Sequence, residues 1–119
     1  MELRILTDGD NPIVEVISAE IVINNPQDAL DLMVAAGEYD AQRIIIREQH
    51  LHADFFELRT GLAGEVAQKY VNYRFKLAVV GSFEKYQSNS LQAFILECNR
   101  GNLMFFVADI ESAITKLSG

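Results

Sequence analysis

Short apolar runs and amphipathic segments alternate along the whole chain. Residues 2–6 and 13–17 have the length and composition of two short strands, and apolar and charged side chains alternate in the second. Residues 8–12 between them are rich in turn formers, which favours an antiparallel hairpin. A further extended piece is predicted over residues 20–23.

Three later apolar runs, residues 43–47, 78–80 and 103–107, show no such alternation. Continuous apolar runs are typical of strands that are covered on both faces of a parallel sheet. A helical pattern follows each run, which is the rhythm of βαβ units. The chain is therefore predicted to be a single α/β domain over residues 1–119. Its mixed sheet would have an N-terminal antiparallel hairpin, parallel βαβ units and four helices.

The predicted helices have clear start signals. Asn25 with Pro26 starts the first helix, for which Gly37 is the predicted C-cap. Asp54 and Glu57 form an acidic version of the capping box, and apolar residues then recur every three or four positions. One long helix is therefore predicted from residue 54 to about residue 72. The predicted caps of the last two helices are Ser88 or Ser90, and Asp109.

Composition excludes several classes of function. The formal net charge is −7 and the basic residues are scattered, so no nucleic-acid partner is expected. No apolar run approaches the roughly 20 residues of a membrane-spanning helix, and the first residues do not resemble a signal peptide. Cys98 is the only cysteine and lies on an apolar stripe, which predicts a buried, inert thiol in a cytoplasmic protein.

The most conspicuous candidate for chemistry is His50-Leu51-His52-Ala53-Asp54. In an extended segment the residues His50, His52 and Asp54 face one way, so they could share a ligand or a metal ion. The alternative is an exposed polar loop in which Asp54 only caps a helix. Phe55 follows where a metallo-hydrolase motif needs a further histidine, so no metal ligand set and no cofactor is predicted.

A second candidate is the segment around Thr60. Gly61 and Gly64 would each cost about 1 kcal/mol inside a helix, so some contact should offset them. Either they let the helix lie tight against the sheet, or they mark a functional surface. That predicted interaction or switch surface comprises Asp54, Arg59, Thr60, Gly61, Gly64, Glu65, Gln68 and Lys69. Glu84 and Lys85 are interpreted as ordinary solvated charges.

Residues 54–69 read DFFELRTGLAGEVAQK, and here the chain resembles the domain-of-unknown-function 4180 family, an uncharacterised bacterial family. The resemblance extends to residues 28–33, 73–83 and 99–106. It implies no function, because the family has none assigned.

The order and lengths of the predicted elements are similar to those of the STAS domain, the fold of bacterial anti-sigma-factor antagonists. In that fold a Ser or Thr at the start of the helix after the third strand is phosphorylated by a partner kinase. The resemblance implies that Thr60-Gly61 occupies this slot, although the predicted long helix would place Thr60 about two turns inside it.

No catalytic triad or dyad is recognisable, so the sequence favours a non-catalytic regulatory or protein-interaction module with a STAS-like fold. An unidentified protein partner is expected. A homodimer is possible either through the edge strand of the hairpin or through Phe and Tyr side chains on a helix face. The alternative is a small ligand-binding protein or metal-dependent enzyme that uses the loop from His50 to Asp54 at the carboxyl end of the sheet.

Overall fold

The computed structural model describes residues 1–7 and 9–118, and it contains a five-stranded mixed sheet. The strands lie in the order of the chain, with β1 at one edge and β5 at the other. β1 pairs antiparallel with β2, and every later neighbouring pair is parallel, as predicted. The strands are β1 (Glu2–Thr7), β2 (Ile13–Ile17), β3 (Arg43–Arg47), β4 (Lys76–Val80) and β5 (Met104–Val107).

Four helices cover the two faces of this sheet unequally. They are α1 (Pro26–Gly37), α2 (Leu62–Tyr73), α3 (Asn89–Arg100) and α4 (Ile110–Ser118). The first three cover one face, where a large apolar core forms around Val14, Ile44 and Val79. α4 alone packs on the other face, against a smaller core with Ile45 and Phe105. The predicted α/β fold class is confirmed.

The predicted helix caps are also confirmed at three helices. The side chains of Asn25, Ser88 and Asp109 each accept a hydrogen bond from the backbone N–H three residues on, at 2.9, 3.2 and 2.7 Å. These bonds satisfy donors that a helix start otherwise leaves free. α1 ends at Gly37, but Glu38 rather than Gly37 is its capping residue.

The predicted long helix from Asp54 is wrong. Residues 48–60 form three short 3-10 turns, Glu48–His50, Ala53–Phe56 and Leu58–Thr60, and α2 starts only at Leu62. The backbone of Gly61 has φ +83°, in the left-handed region that interrupts a right-handed helix. The apolar periodicity spans this break because the buried phenylalanines of the turns and the stripe of α2 reach the same core.

The predicted extended piece over residues 20–23 is not a strand. It makes one isolated bridge, Ile23 with Leu51, and the Val22 and Ile23 amides both donate to the His50 carbonyl. Asp8 of the predicted turn lies outside the described residues. Among the residues that are described, no helix is both long enough and apolar enough to cross a bilayer.

Candidate functional site

The carboxyl ends of β3 and β4 lead into residues 48–61 and 81–88, which lie side by side at one edge of the sheet. We call these two segments the carboxyl-end surface. In α/β sheets this is the edge at which ligands bind most often. The sequence-predicted residues His50 to Gly61 lie on the first of the two segments.

His50 is a buried structural residue rather than part of an open site. Only 2% of its surface is exposed. Its Nδ1 accepts a hydrogen bond from the Arg47 amide at 3.1 Å, so Nε2 carries the proton and donates to the Ser18 carbonyl at 3.0 Å. Burial lowers the pKa of His50, the Ser18 carbonyl opposes this shift, and the Arg47 charge adds to it.

His52 and Asp54 do not join His50 in a shared site. The Nδ1 atom of His52 accepts from the Asp54 amide at 3.0 Å and caps the second 3-10 turn. The side chains of His52 and Asp54 are 41% and 56% exposed, whereas both ring nitrogens of His50 are already bonded within the fold. Within residues 1–7 and 9–118, no group of three His, Cys, Asp or Glu side chains could hold a metal ion.

Thr60 lies directly before α2, not two turns inside a helix. Its single hydroxyl proton is shared between the carbonyls of Asp54 and Glu57, which lie 2.7 and 2.9 Å from the Thr60 oxygen. The same oxygen accepts from the Leu62 amide at 3.3 Å, in the first turn of α2. One exposed hydroxyl therefore ties together the second turn, the third turn and the start of the helix.

The two glycines have different roles, and neither lets α2 lie tight against the sheet. Gly61 takes the left-handed backbone that ends the turns. Gly64 lies on the exposed side of α2, and a Cβ added there would meet no other atom within 4 Å. The packing explanation for this pair is therefore wrong, because the space beside Gly64 is open.

The rest of the predicted surface is mostly exposed. Glu65 and Gln68 are exposed on α2, and Lys69 is half-buried. The Arg59 guanidinium is 89% exposed and lies 3.4 Å from the Glu57 carboxylate. A pair this exposed contributes little to stability, so Arg59 is free to contact a partner.

Sequence reasoning missed the best-connected group at this edge, the Glu48 carboxylate. It lies 2.7 Å from Lys85 Nζ, and it accepts from the Tyr86 hydroxyl at 2.5 Å and from the Ser82 amide at 3.2 Å. Burial raises the pKa of Glu48, but the bonds from Lys85, Tyr86 and Ser82 outweigh it and lower the pKa overall. Burial raises the pKa of Tyr86, and the Glu48 carboxylate raises it further. Lys85 is therefore a paired charge, and its interpretation as an ordinary solvated charge is wrong.

An aromatic pair forms the floor of this part of the surface. The rings of Phe56 and Tyr86 are stacked, with centroids 4.8 Å apart and 11° between their planes. Beside them lies a shallow groove of about 460 Å³, into which Leu51 and Lys85 also project. The only signal for it in the sequence is the pair of adjacent phenylalanines at 55 and 56, which no single helical stripe would bury.

A second, apolar groove lies at the far end of α2. It measures about 340 Å³ and is lined by Leu30, Met33, Val34, Tyr73 and Phe75. Val34 and Tyr73 are 68% and 58% exposed. Thr60 thus precedes α2 at one end, and the last residue of the helix, Tyr73, helps to form an apolar groove with α1 at the other.

Cys98 is half-buried on α3, on the stripe predicted for it. Burial and the neighbouring Glu97 raise the pKa of its thiol to about 11. Because the thiolate is the nucleophile, this environment makes Cys98 unreactive.

Residues 8–117 match the profile of a family described as a domain of unknown function, DUF4180. The chain belongs to this family. The matched residues include both segments of the carboxyl-end surface and the residues that line both grooves. No curated protein and no solved structure is significantly similar to the chain.

Proposed function

We propose that this DUF4180 chain is a non-catalytic module that binds a protein partner along the exposed side of α2. The observation that carries the proposal is the apolar groove at the end of this helix, where Val34 and Tyr73 are 68% and 58% exposed. Apolar side chains exposed together on a soluble protein mark interaction sites. Between this end of α2 and Thr60 the helix exposes the polar residues Glu65 and Gln68, and protein interfaces combine an apolar centre with a polar rim.

The chemistry-bearing groups at the carboxyl-end surface support binding rather than catalysis. Three such groups already form hydrogen bonds within the fold: the Glu48 carboxylate, the His50 ring and the Thr60 hydroxyl. These bonds hold the loops in place. A nucleophile or a general base must have a free atom that faces the substrate. These three groups instead give the surface a defined shape, which is what a docking partner needs.

Charge insertion in the groove tests this proposal. We expect V34E to lose the partner that the wild-type chain captures from a lysate of its source cells, because a carboxylate there cannot be desolvated against an apolar partner. The matched control is L96E, which places the same charge at an apolar residue of α3 that is 52% exposed and outside the groove. Equal capture by V34E and the wild type would overturn the proposal.

The regulatory part of the proposal assigns a phosphorylation switch to Thr60 in a STAS-like module of the bacterial cytoplasm. The strand order and the position of Thr60 directly before α2 support the analogy. A phosphoryl group would remove the hydroxyl proton that Asp54 and Glu57 carbonyls accept, and would add roughly 1.5 to 2 negative charges beside Glu65. The turns would then rearrange where the partner docks.

The switch is tested with two substitutions at Thr60 in the same capture experiment. T60S keeps the hydroxyl and should bind like the wild type, whereas T60E should weaken capture several-fold through charge and the lost hydrogen bonds. If T60E captures as much as T60S, the switch is wrong, and the module itself is still tested by V34E.

A second candidate function is favoured by the groove beside the Phe56–Tyr86 stack. Its aromatic floor and the Lys85 ammonium suit a small molecule with a planar apolar part and an acidic group. Such a ligand should raise the melting temperature of the wild type but not of K85A. If the same ligands stabilise K85A equally, they do not bind in this groove.

A further inference from the structure

The two edge strands of the sheet, β1 and β5, differ in whether a side chain covers their outward-facing backbone groups. At the β5 edge, the Asn99 side chain bonds both outward-facing backbone groups of Phe106: Oδ1 accepts from its amide at 2.8 Å and Nδ2 donates to its carbonyl at 3.2 Å. Asn99 therefore takes the place of a further strand. Natural sheets block edges in such ways, because free backbone groups pair with other chains.

The β1 edge has no comparable cover among the described residues. No side chain outside β1 bonds to the backbone of Glu2 to Leu6, and the side chains of Met1 and Ile5 are 61% and 43% exposed. An extended strand with exposed apolar side chains on one face can pair with another strand. The occupant that fits it is a second copy of the same strand.

Symmetry restricts how β1 can pair with itself. In an antiparallel strand pair, a residue whose N–H and C=O point towards the other strand faces a residue whose N–H and C=O point back. Such residues alternate along β1, so two residues of β1 that face each other in a self-pair are an even number of positions apart. A two-fold axis must therefore pass through a residue that faces its own copy. The candidates are Glu2, Leu3, Arg4 and Ile5.

The charges on β1 choose among these candidates. An axis at Glu2 or Arg4 would place like charges directly opposite each other, which destabilises a strand pair. An axis at Ile5 would face Leu3 with Thr7, across the register irregularity between Ile5 and Thr7. With Leu3 on the axis, Glu2 of each copy faces Arg4 of the other, and Ile5 faces Met1.

We propose that the chain forms a two-fold symmetric dimer in which β1 pairs antiparallel with β1 of a second copy, with Leu3 on the axis. The two sheets then join into one, with apolar side chains paired on one face and two Glu2–Arg4 pairs on the other. The Arg4 guanidinium is 65% exposed, and its ion pair with Glu15 is long, at 3.7 Å. The Glu15 carboxylate is bound more closely by Arg47, at 2.6 Å, so Arg4 can pair with Glu2 of the second copy.

Cysteine cross-linking tests both the dimer and its register. In a C98A background, L3C should form an interchain disulfide under mild oxidation, because the two Cβ atoms of a facing pair lie within about 5.5 Å. I5C should form no interchain disulfide, since the two copies of residue 5 are four positions apart along the strand. Cross-linking of I5C but not of L3C would overturn the proposal.

Sedimentation equilibrium over a concentration series tests the dimer without touching the core. The wild type should dimerise reversibly, and E2R should raise the dissociation constant at least about tenfold, because both attractive pairs become repulsive. E97R makes the same change of charge at an exposed residue of α3 and should dimerise like the wild type. A wild-type chain that stays monomeric at every concentration would overturn the proposal, whatever V34E shows for a heterologous partner.

Discussion

The side chain of Glu48 fills the space that a side chain at Gly81 would need. A Cβ added to Gly81 would lie 2.6 Å from Glu48 Oε1 and 2.7 Å from Glu48 Cβ. The end of β3 and the end of β4 thus approach so closely that only glycine fits, and this approach lets the Glu48 carboxylate reach the loop after β4. The ion pair and hydrogen bonds of Glu48 to Ser82, Lys85 and Tyr86 therefore depend on the absence of a side chain at residue 81.

G81A should therefore lower the free energy of unfolding by about 1–3 kcal/mol, because it overpacks this contact. Denaturant unfolding measures the change. G64A is the matched control: the space beside Gly64 is open, so alanine should raise the free energy of unfolding by about 0.5 kcal/mol through helix propensity. A G81A chain as stable as G64A would show that the strand ends can move apart freely.

E48Q should lower the free energy of unfolding by about 1–2 kcal/mol at neutral pH, since it loses the ion pair with Lys85 and the charged acceptor for Tyr86. The pKa of Glu48 is lowered in the fold. Its contribution is therefore complete above the ordinary carboxyl pKa of 4.5 and is lost as the pH falls through the lowered value.

The difference between the wild type and E48Q should accordingly shrink in acid, as measured by urea unfolding at a series of pH values. E97Q removes a carboxylate of a surface ion pair with Arg100 and should change stability by less than about 0.5 kcal/mol. A difference for E48Q that grows in acid would contradict the assigned direction of the pKa shift.

The fold was predictable from the sequence where local signals and the buried pattern agree. β3 has the predicted bounds, residues 43–47. Its three consecutive isoleucines are typical of a strand that is covered on both faces, and the arginines on either side mark its ends. The side chains of Asn25, Ser88 and Asp109 cap helices as predicted, since each cap depends only on residues within the next turn.

The site was predictable only in part, because its contacts join residues far apart in the chain. Glu48 and Tyr86 are 38 positions apart in the chain, and the sequence around either residue gives no sign of their hydrogen bond. The break at Gly61 was missed because a glycine within an apolar stripe is compatible with a helix, and its left-handed backbone has no local signal in the sequence. The prediction therefore gave the segment around Thr60 the wrong backbone, a continuous helix in place of three short turns.

Cys98 should react slowly with iodoacetamide in the folded protein. Its pKa of about 11 against an ordinary value of 9.0 leaves roughly 100-fold less thiolate at neutral pH. Mass spectrometry of samples quenched over time measures the rate, and the same protein in denaturant is the control. A folded protein that is alkylated as fast as the unfolded one would show that the thiol is open to solvent.

His50 should make the stability of the fold depend on pH near neutrality. Its pKa is lowered in the fold because burial disfavours the charged ring. The unfolded chain therefore binds the proton more readily, and the contribution of neutral His50 is complete above its ordinary pKa of 6.5 and is lost as the pH falls below that value.

H50Q should remove this pH dependence between about pH 5.5 and 7.5, and should cost about 1–3 kcal/mol at the upper end because it breaks the bond to the Arg47 amide. H52Q is the control, since His52 is exposed and caps only a short turn. Urea unfolding of the three proteins at each pH gives the comparison. If H50Q keeps the pH dependence of the wild type, the buried ring of His50 is not its source, and the assigned direction of its pKa shift is contradicted.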